Sequence, residues 1–119
     1  MAPTVSYWDC GEFIAVSHTL GVPHPPGSPF FLLLGRIFSM LPFNEDIAFR
    51  VNIISPLVSA LAVMLLYLSI VKVVTHWRGK VNSLSDCLIV FGGGAAGALA
   101  FAFTDSHWFN AVEAEVYAF

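Results

Sequence analysis

One stretch of this chain constrains its fold more than any other, because it contains no charge. From Val51 through Val71 there is no Asp, Glu, Lys or Arg, and the apolar character extends outward to about Ile47 and Val74. A bilayer hydrocarbon core of about 30 Å takes about 20 residues of helix, so a helix over 47–74 is long enough to cross one. A second such stretch covers about 84–103, through Leu88, Ile89, Val90 and Phe91 into a Gly/Ala-rich run. Composition agrees, with 57% hydrophobic and 11% charged residues, against about 25% charged in an average soluble domain. The missing charges are missing in blocks, which makes lipid part of this chain's solvent.

Between the blocks, residues 75–83 carry His76, Arg78 and Lys80, with Lys72 just inside the first helix. Three of the five Lys and Arg residues therefore sit at one junction. The positive-inside rule assigns that junction to the cytoplasm. Residues 1–46 and 104–119 are then expected on the extracytoplasmic side, with seven of the eight acidic residues. Arg36 and Arg50 also fall there, as side chains that snorkel or bind an anionic group. No basic patch is large enough for nucleic acid. Met1 is followed by Ala-Pro-Thr, so no secretory leader is legible.

Residues 1–46 are too broken to span. Ser6 to Asp9 has capping-box spacing and opens a short helix that ends near Leu20 and Gly21. A rigid turn follows from Val22 to Gly27, and Ser28-Pro29 has the form of an N-cap with proline at the first helical position. The next helix, about Phe30 to Leu41, is too short to cross and is expected in the membrane interface, with Arg36 turned to headgroups or a charged ligand. Leu41-Pro42-Phe43-Asn44 separates it from the first spanning helix.

The chemistry-bearing residues gather on the extracytoplasmic side. Asp9 and Glu12 are three apart and share a helix face. Such carboxylates suit a general base, while the simpler reading makes Asp9 a cap residue near a positive helix end. His24 lies between prolines that fix the backbone around it. Arg50 suits a phosphate, and equally a snorkelling role or a pair with Asp46. Glu113 and Glu115, with His107, Trp108, Asn110 and Tyr117, make a second polar cluster; two residues apart on a helix, the two glutamates face different ways. A metal site from His18, His24 and His107 has no ligand spacing behind it, and no metal is assigned.

Two patterns mislead. Gly92 to Gly97 matches G-x-G-x-x-G, but the residues after it are apolar all round and no βαβ unit accompanies it. Gly93 and Gly97 make better sense as small residues between membrane helices. Cys10 and Cys87 fall at opposite faces, too far apart for a disulfide within one chain.

Pro3-Thr-Val-Ser-Tyr-Trp-Asp9-Cys-Gly-Glu12-Phe, then His24-Pro-Pro-Gly27, then Trp108-Phe-Asn-Ala-Val-Glu113-Ala-Glu115-Val-Tyr117 together resemble a large bacterial family of multi-spanning membrane proteins. That family was long labelled only as a domain of unknown function, and it has a eukaryotic relative that is a protein O-mannosyltransferase. More distantly the layout is similar to GT-C glycosyltransferases. The resemblance implies an all-α membrane protein, a fragment of a GT-C-like multi-spanning bundle with two transmembrane helices plus short extracytoplasmic and interfacial helices. It implies Asp9 as the acidic residue of the first extracytoplasmic loop and Arg50 as the early arginine of the second membrane helix. Beside these, Glu12 is expected to be catalytic with Asp9, and His24, Arg36, Arg50, Glu113 and Glu115 are expected to bind substrate or phosphate.

The expected activity is inverting transfer of a hexose such as mannose from a polyprenyl-phosphate donor to a protein or glycan acceptor. That donor is a substrate, no cofactor is assigned, and the sequence leaves a divalent-metal requirement open; membrane lipid is the other expected partner, and nucleic acid is not. The expected place is the bacterial inner membrane, facing the periplasm. A membrane helix expected before Pro3 is absent, as are all helices after Phe119, so this chain is expected to be an inactive fragment of a larger enzyme. The rival reading is a transporter or assembly subunit. Against it, the charges avoid the two spanning cores and gather at one face.

Overall fold

The computed structural model describes residues 9–25 and 28–112, and among them every regular element is helical. The order is α1 (Cys10–Thr19), α2 (Pro29–Met40), α3 (Ile47–Asn52), α4 (Ile54–Arg78), α5 (Leu84–Cys87), a π-helical turn (Leu88–Gly92), α6 (Gly93–Ala102) and α7 (Asp105–Val112).

α1, α2 and α3 pack into a corner at the start of α4. Its core is Cys10, Phe13, Ile14, Phe31, Leu32, Ala48, Val51 and Ile54. Phe13 and Phe31 meet edge to face with ring centroids 5.5 Å apart, the arrangement aromatic quadrupoles favour. α1 and α2 approach closely at Gly35, where an added Cβ would lie 2.7 Å from Ser17 Cβ and closer still to its hydroxyl. α2 begins with Ser28 at the N-cap and Pro29 in the first turn, although the Ser28 side chain makes no capping bond. α1 ends with Leu20 in the left-handed conformation, at φ 54°, where glycine is the favoured residue.

α3 and α4 are nearly one helix, and the break has a local cause. Proline has no N–H to give to the carbonyl four residues back, and its ring crowds that carbonyl. For Pro56 that carbonyl belongs to Asn52, the last residue of α3. Counted together the two helices run Ile47–Arg78, 32 residues, and with Leu84–Ala102 they form two helices long and apolar enough to cross a membrane. The span reaches Arg78, beyond the expected end near Val74. Only 6% and 17% of their most apolar windows are buried, so these faces are bare of protein, unlike the core helix of a soluble domain. Leu57, Leu61, Leu65 and Leu68 on α4 and Ile89, Phe91, Leu99 and Phe101 on the second helix are exposed.

The two helices turn back on each other through residues 79–83. Gly79 takes φ 82° at the end of α4, and the Ser83 hydroxyl caps α5 by accepting from the Asp86 amide. Arg78 and Asp86 pair across the turn at 2.7 Å. The close contact between α4 and α6 is made at Gly94, whose added Cβ would lie 2.9 Å from Val71 and 3.3 Å from Tyr67, and at Gly97 against Ile70. Gly93, expected in that role, faces open space; it lies about 100° round the helix from Gly94. The glycine run is thus mid-helix, and no dinucleotide turn exists there.

α7 returns to the Pro56 end of α4. Pro56, Ser59, Ala60, Val63, Ala102, His107 and Trp108 line an apolar cavity of about 440 Å³ at that end. The α1–α3 corner and α7 therefore occupy the same end of an elongated molecule, 55 × 26 × 26 Å.

Candidate functional site

Asp9 is the N-cap residue of α1, but its side chain makes no capping hydrogen bond. Capping of α1 is therefore not what its carboxylate does, and the expected box with Ser6 lies outside the described residues. Asp9 Oδ2 lies 3.8 Å from His24 Nε2, beyond hydrogen-bond range. Glu12, one turn further, accepts twice from His24: from its backbone N–H at 2.8 Å and from Nδ1 at 2.7 Å. Pro23 and Pro25 flank His24 and have no N–H to donate, so the amide of this turn goes to Glu12. Phe13 supports the imidazole, with ring centroids 6.3 Å apart.

Each member of this trio shapes the others. The hydrogen bond from the His24 side chain, then the one from its amide, holds the Glu12 carboxyl below its ordinary 4.5. The Glu12 hydrogen bond, then the Glu12 charge, raises His24 above its ordinary 6.5, and Asp9 adds to that. An ionised Glu12 only accepts, so His24 Nδ1 carries the proton and Nε2 is the nitrogen presented to Asp9. All three side chains are reachable from solvent, with Asp9 at 53%, His24 at 48% and Glu12 at 38% exposure. One donor atom from each lies within 4.8 Å of the others, a set that can hold a cation.

The site is anchored to the long helix. Cys10, adjacent to Asp9, is fully buried, and its Sγ lies 3.6 Å from Asn52 Oδ1 at the end of α3. Cys10 and Cys87 are both free thiols.

Both arginines donate to backbone carbonyls. Arg36 Nη1 donates to the His18 carbonyl, one of the carbonyls that the end of α1 leaves without a helical partner. It is turned inward to α1. Arg50 donates from Nε to the Asn44 carbonyl at 2.6 Å, from Nη1 to Ser39 at 2.7 Å and from Nη2 to Glu45 at 3.4 Å. It clamps the 39–45 turn. Asp46, weighed as its ion partner, instead caps α3 by accepting from the Ala48 amide.

The structure thus brings Asp9, Glu12 and His24 together and sets Arg36 and Arg50 into neighbouring turns. Glu113 and Glu115 lie outside the described residues, as does Ser6 of the expected capping box. The histidines weighed and set aside as a metal site are engaged separately: His18 contributes a carbonyl to Arg36, and His107 packs on Phe101 with centroids 4.6 Å apart. Sequence reasoning missed the Glu12–His24 clamp. Its one signal was Pro-His-Pro, a turn whose central residue has the only N–H to place.

Residues 9–119 match the family described as the protein O-mannosyl-transferase TMEM260 N-terminal domain. The protein O-mannosyl-transferase tmem260 of Dictyostelium discoideum is 33% identical over 119 residues, which is 98% of this chain and 13% of that protein. The protein O-mannosyl-transferase TMEM260 of Mus musculus is 34% identical over 111 residues, 92% of this chain and 14% of that protein. The chain therefore spans 13–14% of the length of these curated relatives. No solved structure matches it.

Proposed function

This chain belongs to the family of the protein O-mannosyl-transferase TMEM260 N-terminal domain, and from that premise we propose that it forms the carboxylate-bearing part of a membrane-embedded, GT-C-like hexosyltransferase. The donor is a polyprenyl-phosphate sugar, with mannose as the hexose. The acceptor is a hydroxyl of a protein or glycan on the extracytoplasmic side, which for a bacterial chain is the periplasm.

Asp9 takes the proton of the acceptor hydroxyl as its oxygen attacks the anomeric carbon. The bond from that carbon to the phosphate oxygen breaks on the opposite face, and polyprenyl phosphate leaves with the electron pair. The product has inverted configuration. A positioned base of this kind contributes about 10²–10⁴-fold in rate. Phosphate is a good leaving group, so charge stabilisation by Arg36 or Arg50, through N–H groups not given to backbone carbonyls, replaces a general acid. His24 lines the site, and the sequence reading assigns one of Glu113 or Glu115 to it as well.

The observation that supports this reading is the free face of Asp9. Its carboxylate does not cap its own helix, it has no Lys or Arg within ion-pair distance among the described residues, and it stands at the end of the longest apolar helix. Membranes holding the protein, given polyprenyl-phosphate mannose labelled in the sugar and separately in the lipid, test it. The account expects mannose to move to acceptor while the lipid label stays in polyprenyl phosphate. Release of free mannose to water alone, with no acceptor product, would contradict it.

A further inference from the structure

We propose that Asp9, through Oδ2, and His24, through Nε2, bind a divalent cation, with Glu12 as the carboxylate that orients the imidazole, and that this cation meets the acceptor hydroxyl while the second Asp9 oxygen is left to take its proton. The inference rests on the transferase reading only for the identity of that hydroxyl.

The donor set is mixed, two carboxylates and an imidazole, and it comes from two segments, the first turn of α1 and the Pro23–Pro25 turn. The assignments within it follow from which atoms are already used. Both Glu12 oxygens are taken, one by the His24 amide and one by Nδ1. The atoms left facing each other are Asp9 Oδ2 and His24 Nε2, 3.8 Å apart. That gap is too long for a hydrogen bond. A tetrahedral cation with bonds of about 2.0–2.2 Å spans about 3.3–3.6 Å between neighbouring ligands, so these two atoms have a few tenths of an ångström to close on binding. A carboxylate on the far nitrogen of a ligating histidine is the recurrent support of such sites, because it fixes the tautomer and raises the basicity of the ligand. Charge points the same way, since among the described residues His24 is the only group within ion-pair distance of Asp9 or Glu12. Two protein ligands leave coordination positions open for water and for the acceptor oxygen, whose hydroxyl a bound cation makes more acidic.

The test uses the full protein in lipid nanodiscs, stripped with chelator and titrated with Mn²⁺. Electron paramagnetic resonance should count one bound ion, and pulsed measurements on the wild type should show coupling to a histidine nitrogen. Asp9→Asn and His24→Ala should abolish that ion, and Glu12→Gln should weaken it by about 10–100-fold. A bound ion with oxygen ligands only, or no bound ion at all, would overturn the proposal, and neither result depends on any variant folding. Sugar transfer measured in the same samples separates the two readings. Transfer that survives chelation unchanged removes the cation and leaves the transferase. A nitrogen-coupled ion in a protein that transfers no sugar leaves the cation and removes the transferase.

Discussion

At the scale of single residues, the account turns on what His24 touches. With chelator present, the Glu12 hydrogen bond keeps the imidazole charged to higher pH than usual, and the pairing contributes from both sides. The His24 contribution is complete below its ordinary 6.5 and is lost as pH rises through its raised value. The Glu12 contribution is present above its ordinary 4.5 and is lost as pH falls through its lowered value. The pair is therefore tightest between those two ordinary values. Nuclear magnetic resonance titration of the imidazole should show a midpoint above 6.5, and Glu12→Gln should bring it back down. An unchanged midpoint in the variant would mean that the clamp does not exist in solution.

Other single positions carry clear expectations. Gly35→Ala forces its new Cβ into Ser17, and overpacking of this kind costs about 1–3 kcal/mol; thermal unfolding in detergent measures it. Gly93→Ala, facing open space, should be neutral or stabilising by up to about 1 kcal/mol, because glycine is a poor helix former. Much at this scale was hidden in the sequence. Asp9 and Glu12 were legible as a pair, since helical spacing alone aligns them. That His24 would close on them was not, because twelve residues of chain and a turn intervene and no periodicity reports a turn's direction. What Arg36 and Arg50 reach first was not legible either. A guanidinium near a helix end has backbone carbonyls as well as headgroups or phosphates to satisfy, and the sequence does not show which is closer.

At the scale of elements, the long apolar runs were the most legible feature. Their length and lack of charge state the requirement directly, and their bare faces agree with it. What the runs concealed was the joint inside the first. Pro56 was the available signal, standing in an otherwise uninterrupted pattern. Pro56→Ala restores an N–H for the Asn52 carbonyl and should fuse α3 with α4. Hydrogen exchange at the new amide should then be slow; fast exchange would show that the break has another cause. The 39–45 turn depends on Arg50 in a comparable way. Hydrogen bonds to a charged group are worth about 1.5–3 kcal/mol each, so Arg50→Ala should lower stability by roughly 2 kcal/mol or more. Arg50→Lys should restore little of it, because one ammonium cannot follow three carbonyls in different directions. The π-helical turn before α6 had no legible signal beyond the weak helix propensity of the glycines that follow.

At the scale of the whole molecule, two facts combine. The hairpin of α4 with the second apolar helix brings α7 back to the end that carries Asp9, Glu12 and His24 in a molecule 55 Å long, while Arg78 and Asp86 pair at the turn of the hairpin. The charge-free runs in the sequence foretold this division, since helices that shed charge along their length concentrate it at their ends. The matched relatives are some seven to eight times as long as this chain, and on the proposed reading donor and acceptor meet at this pole.

The most direct test of the central claim is the rate of mannose transfer by the full protein with Asp9→Asn set against Glu45→Gln, a carboxylate at the same pole outside the trio. The account predicts that Asp9→Asn lowers the rate by about 10²–10⁴-fold, the usual contribution of a positioned base, while Glu45→Gln stays near the wild type. Equal rates in wild type and Asp9→Asn, with both proteins folded in the membrane, would contradict it.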